Sequence, residues 1–484
     1  MKVAVIGSGP SGWAAIQKLN QMGIDVTLID ASLKENDRLR TQRNEQSTLI
    51  SKKLYFGSDL PYRDYPFGPK NHKYEVNPIT SFTEGGLSLV WGATMLPYPA
   101  EEIKTWPYEV RNLDKYFSEI TELIPICGEV DSLSENYSNY ISRNSIRISQ
   151  RLNEFYSRSR RLPQSDFSVG KSRLAVETGT KSENGCIYCS LCLSGCPYGF
   201  IWNSRLQFND TKRIELRVLD LSEHNQKVKI HGIDRNGIHI NIDDFDKVFL
   251  GVGAIESFRI LSTSGLVGLT TKLKDSATFF LPILVNPKLG STENTGFSLA
   301  QLFVRLATPG SMGTVQFQIY EHSEDFSTRA RSILPFGKYV PIRVLDFILK
   351  RFVVAIGYLN GNVSPSISMK LEVDGSLTLE KELDGVSQRQ LVSMIKASIR
   401  MLGRRTRQLG LFPIGLMAQR ALPGEGVHFG SWLAMGKESD ALGRPNGVSN
   451  IHVIDSSVLP TIVAGPITFT VMANSMRIVE EALI

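Results

Sequence analysis

The first thirty residues constrain the fold of this chain more strongly than any other stretch. Val3–Ile6 is a short apolar run rich in β-branched residues, as expected of a buried parallel strand. The glycines Gly7, Gly9 and Gly12 follow at once, and a helical pattern begins at Trp13. In such a turn the first glycine permits a tight bend, the second lets the backbone approach a pyrophosphate, and the third packs helix on strand. The pyrophosphate would bind at the helix N-terminus, where free N–H groups and the helix dipole favour anions.

A carboxylate ends the next strand of this pattern. Asp30 follows Gly12 at close to the spacing of about 20 residues expected for an acid that binds a ribose hydroxyl. The glycine motif alone is a weak signal, and a ligand-free glycine turn is the alternative. Because strand, turn, helix, strand and acid occur here in register, the sequence predicts a dinucleotide site.

A second unit of the same kind lies far along the chain. Residues 248–253 are an apolar run that ends in the glycine turn of Gly251 and Gly253, and residues 255–262 have a helical pattern. Two such units suggest one nucleotide-binding sheet with inserted segments. Between about residues 273 and 420 the pattern changes to longer β-rich stretches, 298–306 and 313–320. We expect these to form a sheet that makes the other wall of an active site.

Chain length, net charge and the lack of long apolar segments limit the kinds of protein that this chain can be. At 484 residues the chain is long for one core, so two domains are expected. The net charge of +6 is mild and does not indicate a nucleic-acid partner. No run is long enough for a transmembrane helix, and the first strand leaves no room for a signal peptide. These features predict a cytoplasmic protein, in which cysteine clusters more often bind metal or do chemistry than form disulfides.

Two basic segments allow more than one interpretation. The arginine-rich stretch 131–165 is interpreted as a solvated helix, with a docking face for an anionic substrate or partner as the alternative. The basic and apolar stretch 338–352 is interpreted as a covered helix. Its alternative is a peripheral membrane contact that admits a lipid-like substrate.

Four of the five cysteines form one run, Cys186-x-x-Cys189-x-x-Cys192-x-x-x-Cys196-Pro197. This is the spacing of the bacterial ferredoxin-type iron–sulfur run, and it favours a [4Fe–4S] cluster, with [3Fe–4S] as an alternative. In two-cluster ferredoxins the fourth cysteine of the run ligates the other cluster, and this chain has no second run. The fourth ligand is therefore Cys196 bending back or Cys127, unless the cluster has three irons. A zinc site fits the spacing poorly, and a vestigial loop is the remaining alternative.

Further motifs carry a resemblance that extends over residues 3 to about 482. After the N-terminal fingerprint come Gly85-Gly86-x-Ser88-x-x-Trp91-Gly92, the stretch from Gly195-Cys196-Pro197 to Asn203-Ser204, Gly253-Ala254-Ile255-Glu256-Ser257-x-Arg259-Ile260-Leu261, and finally His428, Met435-Gly436 and Val453-Ile454-Asp455-x-Ser457-x-x-Pro460. In this order the sequence resembles the glucose–methanol–choline family of FAD-dependent oxidoreductases, including its cholesterol-oxidase-like and sugar-dehydrogenase-like branches.

The resemblance implies an α/β fold with a discontinuous, Rossmann-like FAD-binding domain and an inserted substrate domain built on an antiparallel sheet. The FAD-binding domain would comprise residues 1–94, 185–272 and 425–484, and the substrate or cap domain residues 95–184 and 273–424. The implied cofactor-binding residues are Gly7, Gly9, Ser11, Gly12, Asp30, Gly85, Gly86, Ser88, Gly92, Gly253, Asp455, Gly465, Pro466 and Ile467.

The resemblance also assigns roles to single residues. Asp30 would hold the adenosine ribose, Gly85, Gly86 and Ser88 would lie along the isoalloxazine ring, and Asp455 would contact the ribityl–pyrophosphate part. His428 matches the histidine that acts as base or hydrogen-bond partner over flavin N5 while a carbinol C–H leaves as hydride.

The sequence departs from the family pattern at two places. The family usually has a second His or Asn just before the proline of the final helix, where this chain has Gly465. Ser431-Trp432 also stands where the family usually has Gly-Thr or Gly-Gly. Another residue must therefore compensate for the missing partner of His428, or the substrate and chemistry differ from simple alcohol oxidation.

Three functions follow as hypotheses. The first is an FAD-dependent dehydrogenase that oxidises a hydroxyl group of a sugar, polyol or terpenoid-like small molecule and passes electrons through the cluster to a carrier such as ferredoxin or quinone. The second is a ferredoxin-fed flavin reductase of a C=C or C=O bond. The third is a non-redox or degenerate flavin-binding protein.

Overall fold

The structure is a computed structural model that describes residues 1–33, 62, 64–162, 166–179, 184–194, 196–208, 211–291, 295–308, 313–322, 339–382 and 387–484. The polar stretch expected at residues 34–48 and Gly195 of the cysteine run lie outside these residues. The strands are β1 Val3–Ile6, β2 Val26–Asp30, β3 Asn71–Tyr74, β4 Ile126–Gly128, β5 Arg143–Asn144, β6 Phe167–Lys171, β7 Leu174–Ala175, β8 Lys212–Glu215, β9 Arg217–His224, β10 Lys227–Ile233, β11 His239–Phe245, β12 Lys247–Leu250, β13 Thr270–Asp275, β14 Thr278–Val285, β15 Ala300–Ala307, β16 Thr314–Tyr320, β17 Phe352–Tyr358, β18 Ser366–Leu371, β19 Leu377–Glu382, β20 Leu411–Pro413, β21 Gln419–Arg420, β22 Phe429–Gly430 and β23 Ile451–Val453. The α-helices are α1 Pro10–Gln21, α2 Ala100–Ile103, α3 Asp114–Leu123, α4 Ser134–Tyr137, α5 Gln150–Ser159, α6 Ala254–Thr263, α7 Ile342–Leu349, α8 Gln388–Thr406 and α9 Thr468–Leu483.

A five-stranded parallel sheet has the strand order β23-β12-β1-β2-β8. All four residues of β1 are buried, which explains the unbroken apolar run at the start of the sequence. Helix α1 begins at Pro10, a residue that suits the first helical position because its missing N–H would be unpaired there anyway. The two predicted strand–glycine–helix units therefore lie on neighbouring strands, β1 and β12, of one sheet.

A second sheet is antiparallel, with the order β20-β14-β17-β16-β15-β6 and with β21 paired to β14. One face packs against α5 and α8 in a separate apolar core that includes Phe317, Phe155 and Ile395. The other face joins the core of the parallel sheet, because Phe303 and Tyr320 pack in that cluster. The predicted β-rich stretches 298–306 and 313–320 become β15 and β16 of this sheet.

A third sheet combines strands that the predicted domain boundaries separate. Its order is β22-β13-β18-β19-β3, in which β3 and β22 come from segments assigned to the first domain and β18 and β19 from the second. The division into two domains at those boundaries stays a prediction. The chain passes from β13 of this sheet almost directly into β14 of the antiparallel sheet.

The two basic segments differ from their first interpretations. Arg151 of α5 is buried and pairs with Glu321, so at this residue the interpretation of a solvated helix is wrong. Helix α7 occupies the described part of the stretch 338–352 and exposes Val344, Phe347 and Ile348, so its apolar face is not covered as expected. Among the described residues, no helix has the length and apolar character needed to cross a membrane.

Candidate active site

A cleft lies at the carboxyl ends of the parallel strands, where β1, β2 and β12 end. It contains about 1040 Å³ of empty space, part of it open to solvent. Open α/β sheets bind ligands at this edge. Of the residues predicted to bind the cofactor, the following line the cleft: Gly7, Gly9, Ser11, Asp30, Gly86, Gly253 and Ile467.

Each of the three glycines of the first turn is explained by a different feature of the structure. Gly7 has a φ of +99°, which favours glycine. A Cβ at Gly12 would overlap the carbonyl oxygen of Gly7, so only a glycine lets α1 approach β1 this closely. A Cβ at Gly9 would meet nothing within 4 Å. The protein therefore leaves free space over Gly9, at the N-terminus of a helix with no acidic residue in its first turn, as a bound pyrophosphate requires.

Asp30 lies at the end of β2 with both carboxylate oxygens engaged. Oδ2 accepts a hydrogen bond from the Ser8 backbone N–H at 2.8 Å, and Oδ1 accepts bonds from the Ser32 N–H at 2.7 Å and the Ser32 hydroxyl at 2.8 Å. Burial raises the pKa of Asp30, and these hydrogen bonds oppose the rise. The carboxylate thus fixes the glycine turn and lines the cleft at the same time.

The second glycine motif lies directly on the first. The Gly85 N–H donates to the Ser8 hydroxyl at 2.8 Å, and a Cβ at Gly86 would be 3.5 Å from the Gly9 Cα. The Ser88 hydroxyl donates to the Gly85 carbonyl at 2.6 Å, which closes the turn. Gly92 lies further along, where a Cβ would be 3.7 Å from the Tyr320 hydroxyl of the antiparallel sheet.

Asp455 ties the second strand–glycine unit to the C-terminal segment. Its Oδ2 accepts hydrogen bonds from the Gly253 N–H at 3.0 Å and the Ser257 hydroxyl at 2.6 Å, and its Oδ1 accepts from the N–H and hydroxyl of Ser457. Burial raises the pKa of Asp455. This carboxylate is occupied by protein donors and holds the turn that lines the cleft.

His428 lies at the edge of the cleft, between Val427 and Phe429, which both line it. Its Nδ1 is buried and has no hydrogen-bond partner among the described residues. Its ring lies against that of Tyr358, with 4.9 Å between centroids. Burial lowers the pKa of His428 to about 4, so the imidazole is neutral at pH 7.

The shifted pKa of His428 predicts a pH-dependent contribution to stability. Between pH 6.5 and 4 the unfolded chain binds a proton that the folded histidine does not, so stability falls as the pH falls through this window. Replacing His428 by asparagine should reduce the loss of unfolding free energy between pH 7 and 5 by about 1–2 kcal/mol. Urea unfolding of both proteins at the two pH values measures the difference.

Wild-type and His428→Asn proteins must be compared, because a nearby acid changes the unfolding free energy with pH in the opposite direction. Burial raises the pKa of Asp275 to about 7, so its contribution to stability is lost as the pH rises through that value. Asp275 is present in both proteins and cancels. An equal pH dependence of the unfolding free energy in both proteins would contradict the lowered pKa of His428.

Gly465 precedes Pro466 and Ile467 at the entrance to α9 and has a φ of +133°. A Cβ there would overlap the carboxamide oxygen of Gln316, which reaches across from β16. That oxygen is buried and has no hydrogen-bond partner among the described residues. Sequence reasoning missed Gln316 and its neighbour Tyr358. The available signal was a fully buried strand, TVQFQIY, with polar residues on one of its two faces.

The four clustered cysteines lie on one loop that is docked against residues 296–298. The Ser190 N–H donates to the Gly296 carbonyl at 2.8 Å, and the Ser298 hydroxyl donates to the Ser190 carbonyl at 2.7 Å. Burial raises the pKa of Cys192 to about 11. Burial also raises the pKa of Cys186, and the nearby thiols of Cys196 and Cys189 add to that rise.

The thiols of this loop lie near one another but are not arranged as a metal site among the described residues. Throughout the described residues, no three His, Cys, Asp or Glu side chains are arranged to hold a metal ion. Cys127 is fully buried in β4, and burial raises its pKa to about 12. In this geometry the thiols do not form a metal site, so no step of the chemistry is assigned to one.

The fold is shared with solved structures of two oxidases. The chain is similar to pyridoxine 4-oxidase from Mesorbium loti, with a TM-score of 0.65 and 13% sequence identity over 99% of this chain and 98% of the other. It is similar to formate oxidase from Aspergillus oryzae RIB40, crystallised in a study of FAD modification, with a TM-score of 0.67 and 12% identity over 99% and 97% of the two chains. A second variant of that oxidase gives a TM-score of 0.64.

The likeness is one of structure. No protein-family model matches the sequence, and a search of curated proteins finds no match. The predicted fold, a Rossmann-like domain joined to a domain built on an antiparallel sheet, is confirmed by these structures and by the two sheets described above.

Proposed function

We propose that this chain is an FAD-dependent oxidoreductase that oxidises a hydroxyl group of a small molecule to a carbonyl. The observation that carries the proposal is the position of His428, a neutral histidine with an unpartnered Nδ1 at the edge of a cleft made by two glycine turns. The similarity in fold to two flavin-dependent oxidases supports it.

The residues of the cleft fit FAD. Free space over Gly9 and Gly253 lets the backbone approach a pyrophosphate, because a Cβ at either glycine would meet nothing within 4 Å. Asp30 would hold the adenosine ribose, and Gly86 would lie beside the flavin end. When bound, FAD supplies a two-electron acceptor for the hydride that leaves the carbinol carbon.

His428 would take the proton that the hydroxyl group loses. Hydride and proton leave together as the C–O single bond becomes a carbonyl, so a neutral base within hydrogen-bond reach lowers the barrier. The Tyr358 ring holds the imidazole in place, and the carbonyl of His428 accepts a hydrogen bond of 3.0 Å from the Ser276 N–H. A sugar, polyol or terpenoid-like alcohol remains the predicted substrate class.

Anaerobic purification and an absorbance spectrum provide the direct test. We expect bound flavin in the purified protein and bleaching of its visible bands on mixing with an alcohol substrate. Protein without FAD, or with FAD that no alcohol reduces, would contradict the proposed function. In the second case, reduction by a ferredoxin would favour the reverse reaction.

We infer from the spacing of the cysteines, rather than from their geometry, that the loop 186–196 binds an iron–sulfur cluster. The loop is held by the contacts at Gly296 and Ser298, and metal binding commonly completes such sites. The electron carrier predicted with it, a ferredoxin, quinone or similar, and the cytoplasmic location stay predictions.

Iron and sulfide analysis of Cys189→Ala tests this inference. Anaerobically purified wild-type protein should contain about four irons, which the variant should lose. Cys127→Ala is the matched variant: iron retained in it indicates Cys196 as the fourth ligand, and iron lost indicates Cys127. Wild-type protein without iron would contradict the cluster and leave the FAD site unaffected.

A further inference from the structure

A row of polar side chains crosses the antiparallel sheet on the face opposite its helices. Five residues are paired directly in register across neighbouring strands, namely Ser168, Arg305, Gln316, Tyr358 and Thr278. The alternate residues of the same strands, such as Val315 and Phe317, fill the core on the helix side. A polar row inside a buried sheet needs partners, because unpaired polar groups cost free energy when they are removed from water.

Two members of this row have a buried side-chain atom without a hydrogen-bond partner among the described residues, Gln316 Oε1 and Arg305 Nε, and Gln316 Oε1 is the acceptor. The Gln316 side chain is 1% exposed, and its Oε1 has no hydrogen bond to any described residue. Gln318, two residues along the same face, is also buried, but its Oε1 accepts a bond of 2.9 Å from the Tyr320 hydroxyl. A buried acceptor left unpaired costs about 1–3 kcal/mol, so a ligand that donates a hydrogen bond to Gln316 Oε1 would remove this cost.

The Gln316 carboxamide occupies the space that a side chain at position 465 would need. Any side chain at 465 would overlap Oε1, and the φ of +133° also favours glycine. Gly465 lies two residues before Ile467, which lines the cleft. The carboxamide thus reaches the backbone that borders the proposed cofactor site.

His428 meets the same row through Tyr358. Gln316 and Tyr358 are directly opposite each other in register, and such pairs have Cβ atoms about 4.5–5.5 Å apart. The ring of Tyr358 in turn lies against that of His428. Two buried atoms that have no partner in the described part of the chain, Gln316 Oε1 and His428 Nδ1, therefore lie on either side of one tyrosine.

Apolar side chains share this face with the polar row and with Gln318. Ile356, Val354 and Pro282 lie on the same face and are only partly buried. The nearby cation, Arg305, is bonded to Glu101 at 2.6 Å. A ligand here meets one apolar wall, one carboxamide and one histidine, which suits an uncharged alcohol with an apolar body.

We propose that the Gln316 carboxamide, placed where a side chain at position 465 would otherwise lie, holds the substrate hydroxyl beside His428, and that the substrate is an uncharged alcohol with an apolar body. This inference rests on the proposed function. Gln316 binds the hydroxyl group directly, while His428 takes its proton.

The test uses the FAD-containing protein, two probes and two variants. Cyclohexylmethanol is the oxidisable probe, and 1-methylcyclohexanol is a tertiary alcohol that has no carbinol hydrogen to lose. Gln316→Leu removes the carboxamide and leaves a side chain of similar size. Gln318→Leu is the matched control, since it changes a buried glutamine of the same strand and face whose oxygen is already bonded.

Binding of the tertiary alcohol is measured by titration of the flavin spectrum, and oxidation by the rate of flavin reduction. Gln316→Leu should weaken binding of 1-methylcyclohexanol at least tenfold and slow reduction by cyclohexylmethanol further, with FAD content unchanged. Gln318→Leu should stay within about threefold of the wild type in both measurements.

The outcomes separate this inference from the proposed function. If wild-type protein binds the tertiary alcohol through Gln316 but cyclohexylmethanol does not reduce its flavin, the inference holds and alcohol oxidation fails. Equal binding by wild type and Gln316→Leu would overturn the role of Gln316. Wild-type protein that binds neither probe would overturn the substrate class.

Discussion

Replacement of His428 by asparagine should slow reduction of the bound flavin by an alcohol at least 100-fold, with FAD still bound. Proton transfer by a positioned side chain contributes about 10²–10⁴-fold to such reactions, and asparagine cannot accept a proton at neutral pH. Single-turnover mixing under anaerobic conditions measures this rate without interference from reoxidation. FAD should remain bound, because the cofactor-binding turns come from other segments.

A second buried histidine provides the control. Burial lowers the pKa of His452 to about 4, as for His428, but the Nδ1 of His452 lies 3.1 Å from the Leu442 carbonyl on the far side of β23. In the His452→Asn protein, the alcohol should therefore reduce the bound flavin at the wild-type rate. A His428→Asn protein as fast as the wild type would remove this histidine from the chemistry.

Gly9→Val should produce a folded protein that does not bind FAD. The space over Gly9 is free of protein atoms within 4 Å, so a side chain fits without a clash but occupies the place of the pyrophosphate. We expect FAD affinity to fall at least 100-fold, or about 3 kcal/mol. Flavin content after purification and the circular dichroism spectrum of the protein measure binding and folding separately.

Two other glycines make this prediction specific. Gly268→Val changes an exposed glycine whose nearest contact is the Thr270 carbonyl oxygen at 3.9 Å, and it should retain FAD. Gly12→Ala should unfold or strongly destabilise the protein, since its methyl group overlaps the Gly7 carbonyl. A Gly9→Val protein with a full complement of FAD would show that the pyrophosphate binds elsewhere.

The parts of the fold that the sequence predicts are those whose cause is local. The run from β1 through Gly12 to Asp30 has its strand, turn, helix and acid within thirty residues, and the structure shows each of them. The cysteine run is also local, but its spacing does not determine the arrangement of the thiols, and among the described residues no three metal-ligating side chains are arranged to hold a metal ion. The carboxylate of Asp455 bonds to Gly253, Ser257 and Ser457, contacts that the local sequence does not reveal, and its contact with the cofactor stays a prediction.

The contacts that complete the candidate site depend on long-range register. Gln316 faces Tyr358 only because β16 pairs with β17 in one particular alignment, and it reaches Gly465 only because the sheet packs against the entrance to α9. A shift of one residue in β16 would turn Gln316 to the helix side. No pattern within β16 alone could therefore have assigned its role, although the mixed polar and buried character of that strand was visible.

A side chain at position 465 and the carboxamide of Gln316 would occupy the same space, although the two positions are far apart in the sequence. The residue that evolution accepts at one of these positions should therefore depend on the residue at the other. Lineages that carry a larger residue at the position of Gly465 should have a shorter side chain, or a glutamine turned to another rotamer, at the position of Gln316.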